Sequence, residues 1–451
     1  PVNDPIDQVD MTSGYRPHLM IPRIPNNDKQ TMFVLSFSGG GTRAAALAYG
    51  VLKELRSVEF AVGGQPRRLI DEVDAMTGVS GGSFTALSYS LYGDALFDEY
   101  EERFLRRNVQ GKLLRMTLNP FNWPKLMSGK YGRSDMAAEY YDEILFQDKT
   151  FNDLIDNGHP IAMATGTDVS FGARLAYFQN DFDMICSDVG TVKLSRAAAT
   201  SSAVPMVLSP ITLTNYSGRC NYQYPPWVRD IQELEPHERP AGRSLERYHA
   251  MREFRDSTNR PWIHLVDGGV ADNIGVRGVL EAIEQLSLSA EFSDETGFSA
   301  IRRVVVIVVN AHAEHPNTWE TKESPPGTLK QLGASVGVPM ERYSFETIEL
   351  MKDRAEVTDL QRRLRVAEAR LAGASEEEAN AMFPRVTMHM IAVGFEALAD
   401  PERRKFFGNL PTSFVLSDDE VTALIDVGGE LLRQSLDFRA MVKDVTGQDL
   451  P

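Results

Sequence analysis

Gly78-Val79-Ser80-Gly81-Gly82 fits G-x-S-x-G, the pattern of a serine nucleophile on a tight strand-to-helix turn. Such a turn strains the serine backbone, so the residues two before and two after it, Gly78 and Gly82, must be small. The Ser80 hydroxyl would then stand at a helix N-terminus, where the positive dipole end favours a developing alkoxide. Upstream, "FSGGGTRAA" sets Gly39, Gly40 and Gly41 between an apolar run and an alanine-rich helical pattern. Backbone N–H groups at such a junction bind anions, either a resting phosphate or an oxyanion that exists only during reaction. Downstream, "WIHLVDGGVADN" places Asp267 before Gly268 and Gly269 at the end of a strand-like run, and a carboxylate there can take a proton from a serine.

The elements that must hold these residues follow from periodicity. From Thr31 onward strands and helices alternate, with strands expected at Met32–Phe37, Val73–Thr77, Ile161–Gly166, Ile263–Val266, Val304–Val309 and Val386–Val393. Helices are expected at Arg43–Arg56, Gly82–Tyr92 and Val276–Leu288. That alternation predicts a mostly parallel sheet covered by helices on both faces, with Asp267 at the carboxyl end of a parallel strand. Residues 1–30 read as an extended arm and 31–325 as the catalytic domain. Residues 326–451 read as a mainly helical part packed on it. Within that part, Met340–Leu371 reads as a long amphipathic helix, and "SEEE" at Ser375–Glu378 as a capping box opening the next one. The Pro-rich, charged stretch from Tyr222 to Trp262 reads as a surface insertion.

A net charge of −16 argues against general nucleic-acid binding, which needs basic surface to displace counterions. Two cysteines, Cys186 and Cys220, exclude a disulfide scaffold and a thiolate zinc cluster; whether they pair stays open. No apolar run approaches the ~18 residues that span a bilayer. Pro1 in place of methionine predicts either a leader removed upstream or an arbitrary start to the sequence. Against the acidic whole, residues 103–133 hold eight Lys or Arg and no acid, interleaved with Phe104, Phe121, Trp123 and Tyr131. Either these apolar groups pack inside, or the segment meets a lipid surface. The second reading predicts that reversing Arg106, Arg107, Arg115 and Lys125 weakens vesicle binding.

"SGGGTRAAALAYG" lacks the lysine of a P-loop and the third glycine of a dinucleotide fingerprint, so the nucleotide readings fail. Taken in order, the glycine loop Gly39–Arg43, the elbow at Ser80 and the D-G-G at Asp267 resemble the bacterial patatin-like phospholipase family. "SSAVP" at Ser201 to Pro205 resembles a further family segment, with Thr200 where alanine is usual. Ser38 and Ala44 depart from the usual loop without removing a backbone donor.

The resemblance implies a three-layer α/β/α fold and a Ser80–Asp267 dyad without histidine. It implies an oxyanion hole at Gly39, Gly40 and Gly41, and hydrolysis of lipid acyl esters such as phospholipids through an acyl-enzyme. No metal or other cofactor is needed for that chemistry. Arg43 would support the loop or meet a substrate phosphate, and a cell-envelope or periplasmic location would suit the family. Two alternatives remain: a Ser–His–Asp esterase using His312 or His315, and a non-catalytic lipid-binding scaffold.

Overall fold

Among the described residues, eight strands form the central sheet. In chain order they are β1 (Thr31–Phe37), β2 (Ala75–Gly78), β3 (Ile161–Asp168), β4 (Arg174–Ala176), β5 (Ile211–Thr214), β6 (Trp262–Asp267), β7 (Arg303–Asn310) and β8 (Thr387–Gly394). Across the sheet they run β8-β7-β1-β2-β3-β6-β5, with β4 paired to β3. The computed structural model describes residues 3 to 450 apart from 26, 130, 206, 239–241, 313–322 and 324–326. Within 328–341 it describes the backbone alone.

The strands from β8 to β3 are parallel, and both faces of this half are covered. That is why β7, "RVVVIVVN", is apolar almost throughout and does not alternate. Its side chains still divide by period two. Phe33, Leu35, Phe37, Val305, Ile307 and Val309 enter the larger core; Met32, Val34, Val306 and Val308 enter a smaller one on the opposite face.

The helices that cover the sheet or frame its carboxyl edge are α1 (Gly41–Ser57), α2 (Gly81–Tyr92), α3 (Val109–Leu118), α4 (Leu194–Ser201), α5 (Arg277–Leu288), α6 (Thr328–Leu371) and α7 (Asp418–Gln434). Alanine suits α1 because it lies between the sheet and α7. A Cβ at Gly50 would stand 2.1 Å from the carbonyl oxygen of Ile425 in α7.

The chain from Thr328 onward is mainly helical, and it also supplies β8, which pairs with β7 in the central sheet. The N-terminal residues are fastened down, with short helical turns at Pro17–Met20 and Ile21–Arg23. Asp4–Pro5 pairs with Ser187–Asp188, and buried Arg16 meets Asp183 at 2.7 Å.

Three expectations need correction. β6 is antiparallel to both neighbours, so Asp267 does not end a parallel strand. It nevertheless arrives at the right edge because β3 continues for residues 165–168 past Ala164, the partner of the last β2 residue, Gly78. β6 descends along that overhang and stops with Asp267 opposite Gly166.

Residues 222–262 are not a surface insertion. Their helices Pro226–Glu233 and Arg243–Phe254 bury Trp227, Val228, Ile231, Met251 and Phe254 in the main core. Finally, α6 begins at Thr328, earlier than its apolar register suggests, and buries Met351 while leaving Leu360 and Leu364 exposed. The Ser375–Glu378 capping box forms as expected.

Candidate active site

Ser80 lies between β2 and α2 with φ +48° and ψ −120°, a backbone region that L residues rarely occupy. The turn is held by Gly82 N–H donating to Val79 O at 2.9 Å and Ser83 N–H donating to Ser80 O at 3.0 Å. Contact makes glycine necessary around it. A Cβ at Gly78 would lie 2.5 Å from Ser83 Cα, one at Gly81 2.0 Å from Gly41 O, and one at Gly82 2.7 Å from Phe37 Cβ. The elbow and the glycine loop therefore pack backbone on backbone. They are neighbours because β1 and β2 pair in parallel, Phe37 opposite Gly78.

The Ser80 side chain lies close enough to the Asp267 carboxyl to favour its charged form. Gly269 N–H donates to Asp267 Oδ1 at 2.8 Å, while a Cβ at Gly268 would stand 2.4 Å from Thr165 O. Burial pushes the Asp267 carboxyl up to about 7, the two hydrogen bonds pulling back only part of that shift. A carboxyl so poised exchanges protons near neutral pH, which suits a general base.

In the glycine loop, Gly39 N–H donates to Asn273 O at 2.9 Å and is thereby engaged. Gly40 (φ +141°) and Gly41 (φ +62°) hold backbone conformations reserved for glycine. Among the described residues, no acceptor takes the N–H of either. Thr42 N–H donates to Ser413 O at 2.9 Å, so a C-terminal segment lies against this loop.

The sequence matches the Patatin family, described as patatin-like phospholipase, over residues 35–280, more than half of the chain. The chain belongs to the patatin-like phospholipase family. No curated protein sequence is significantly similar to it.

Among solved structures, human GIVD cytosolic phospholipase A2 is 11% identical, with 62% of this chain and 43% of that chain covered at a TM-score of 0.33. The same human enzyme, in complex with a methyl gamma-linolenyl fluorophosphonate inhibitor and terbium chloride, is 14% identical. There 67% of this chain and 46% of that chain are covered, again at 0.33. VipD from Legionella pneumophila is 12% identical, with 93% and 71% covered and a TM-score of 0.28. This patatin-like chain thus spans less than half the length of the human enzyme chains it resembles.

Arg43 faces the protein. It is buried, with Nε donating to Ala311 O at 3.0 Å and Nη2 to Thr412 Oγ1 at 3.0 Å, and a further bond to Leu410 O. It fastens the loop to the end of β7 and to residues 410–412. A guanidinium suits this because its donors form a rigid planar fork.

His312 follows β7, two positions from β2 across the sheet; His315 lies outside the described residues. His389, on the edge strand β8, meets Asp444 at 2.9 Å.

Two neighbours of the site had no assigned role from sequence. Ser201 ends α4, and its Oγ accepts the Ser80 N–H at 3.0 Å. Its carbonyl accepts Gly268 N–H at 3.3 Å, and Ala203 O accepts Asp267 N–H at 2.9 Å. The "SSAVP" segment therefore bridges the serine and aspartate turns; its motif was visible, but not this bridging geometry. Asn273 is the other: it engages Gly39 and closes the "DGGVADN" turn on the glycine loop.

Cys186 and Cys220 are joined as a disulfide, with Cα atoms 5.5 Å apart, which decides between the two readings of these residues.

Proposed function

We propose that this chain is a serine lipid acyl hydrolase, of phospholipase A or lysophospholipase type, acting through Ser80 and Asp267. Asp267 takes the hydroxyl proton as Ser80 Oγ attacks the ester carbonyl carbon. The carbonyl oxygen becomes an oxyanion, received by the N–H groups of Gly40 and Gly41, with Gly39 shaping the loop through Asn273. Collapse of the tetrahedral intermediate expels the alcohol, which takes the proton back from Asp267. Water then gives a proton to Asp267 and attacks the acyl-enzyme, and Ser80 is restored as the fatty acid leaves. Each oxyanion donor in such a site contributes ~3 kcal/mol to lowering the barrier. The helix N-terminus of α2 adds to the same field.

The observation that carries this reading is the serine at positive φ with its side chain beside a buried carboxyl, next to two glycine N–H groups without an acceptor among the described residues. Among the described residues, the Asp267 carboxyl is met by Gly269 N–H and the Ser80 side chain and not by an imidazole, which favours the dyad over a Ser–His–Asp arrangement through His312. An intact serine and base also weigh against a purely binding role. The Cys186–Cys220 disulfide supports work in an oxidising compartment, such as a cell envelope.

The test is labelling with a fluorophosphonate, read by peptide mass. The wild-type protein and His312→Ala should both be modified on the Ser80 peptide, and Asp267→Asn should not react measurably. Equal labelling of folded Asp267→Asn, or loss of labelling in His312→Ala, would reject the dyad.

A further inference from the structure

The basic segment expected to meet either the core or a lipid surface divides in the structure. Its first part belongs to the core: Phe104 and Leu105 are buried, while Arg103 pairs with Glu99 and Arg106 with Glu101. Lys125 is paired as well, with Glu139 at 2.7 Å.

The remainder, residues 109–127, stands out from the fold. α3 is apolar on two sides: Val109, Leu113 and Met116 pack on the core, while Leu114 and Leu118, four residues apart, face outward. The turn after it exposes Phe121 by 92% and Met127 by 83%, with Trp123 beside them. Lys112 and Arg115 are exposed on the same helix, and among the described residues no carboxylate pairs with either. A helix with two apolar faces needs two apolar partners, and the described protein supplies one. A cluster of this kind marks an interaction surface.

Its placement names the partner. One foot of the excursion, Gln110, donates its N–H to Phe414 O at 3.2 Å and accepts Phe414 N–H on its side chain at 3.2 Å. Phe414 adjoins Ser413, whose carbonyl receives the Thr42 N–H of the glycine loop. The other foot, Ser134, donates its N–H to Ser209 Oγ at 3.1 Å. Ser209 lies in the loop leading away from Ser201 and Ala203, and that loop exposes Val207. Both feet thus rest on segments that touch the site.

We infer that residues 109–127, with Val207, form the surface by which this protein docks on a phospholipid bilayer, bringing the site to the lipid interface. Aromatic and aliphatic tips enter the headgroup region, while Lys112 and Arg115 favour anionic headgroups. The inference rests on the lipid-hydrolase reading for its choice of partner, but binding is measured separately from turnover.

The experiment is sedimentation of the full chain with vesicles of phosphatidylcholine, with and without phosphatidylglycerol. Affinity should fall at least tenfold in Phe121→Asp/Met127→Asp, while hydrolysis of a soluble short-chain ester stays within twofold of wild type. Lys112→Glu/Arg115→Glu should weaken binding to the anionic vesicles and leave phosphatidylcholine alone unchanged. The Ser80→Ala protein should bind as wild type does. If wild type does not sediment, or the Asp pair binds as tightly as wild type, the docking surface is wrong. A Phe121→Asp/Met127→Asp change that splits a dimer without touching vesicle binding also overturns it, assigning the patch to a second copy. Vesicle binding with no ester hydrolysis by wild type would reject the enzymatic reading and leave the surface standing.

Discussion

Two buried carboxylates stand at opposite ends of β2, and burial raises both. Asp74 precedes the strand and is pushed up to about 8; Asp267 lies beyond its other end, beside Ser80, and is pushed up to about 7. Each accepts one backbone N–H, from Phe33 at 2.7 Å and from Gly269 at 2.8 Å. The difference is in what else they touch. Asp74 meets the Asn27 side chain and the nearby charge of Lys29, so it ties the end of the N-terminal arm to the sheet. Asp267 meets a strained serine hydroxyl beside the glycine loop. A perturbed carboxyl is therefore no sign of chemistry by itself; the serine at positive φ beside Asp267 is what separates the two.

The largest expected effect breaks the comparison at the level of turnover. Asp267→Asn should lower kcat on an acyl ester by about 10^4-fold or more, because the proton acceptor is gone while the shape remains. Asp74→Asn should keep kcat within about threefold, since it lies off the reaction path. Comparable losses in both would mean that Asp267 acts only as a structural residue.

A second, smaller effect concerns pH. On the proposed dyad Ser80 gives its proton only to an ionised Asp267, so kcat/KM should rise about tenfold per pH unit on the acid side and level off above an inflection near 7. The Asp74→Asn protein should show the same inflection. Its disappearance there would assign the titration to the wrong carboxyl.

The smallest effect is in stability. A carboxyl raised in the folded state holds its proton there after the unfolded chain has lost it. Stability therefore declines as pH rises from the unfolded value, near 4, through the folded value. For Asp74 that window closes near 8. Urea midpoints at pH 5, 7 and 9 should fall for wild type, and Asp74→Asn should fall less. Parallel declines in the two proteins would remove Asp74 as the cause.

Much of the site was legible because its signals are local. G-x-S-x-G, the glycine run and D-G-G each lie within a few residues, and the steric need for small neighbours is met inside the same turn. The strands were legible for the same reason: period-two and all-apolar runs report which faces are buried. The direction of β6 was not, because an antiparallel strand and a parallel one have similar composition. What distinguishes them is the overhang of β3, a partner about a hundred residues away along the chain. The Tyr222–Trp262 stretch misled through its charges, while its widely spaced Trp227, Met251 and Phe254 carried the burial.

The sequence by itself determined the three chemical motifs, their order and the alternation of strands and helices, since each is written in neighbouring residues. Tertiary structure alone decided that Arg43 reaches Leu410 and Thr412, that Ser201 receives the Ser80 N–H, and that Cys186 pairs with Cys220. It also decided that Phe104 turns inward while Phe121 stands in solvent. These are contacts between distant segments, or exposures set by them. Which groups meet across such distances depends on how whole elements pack, and no local pattern of residues records that.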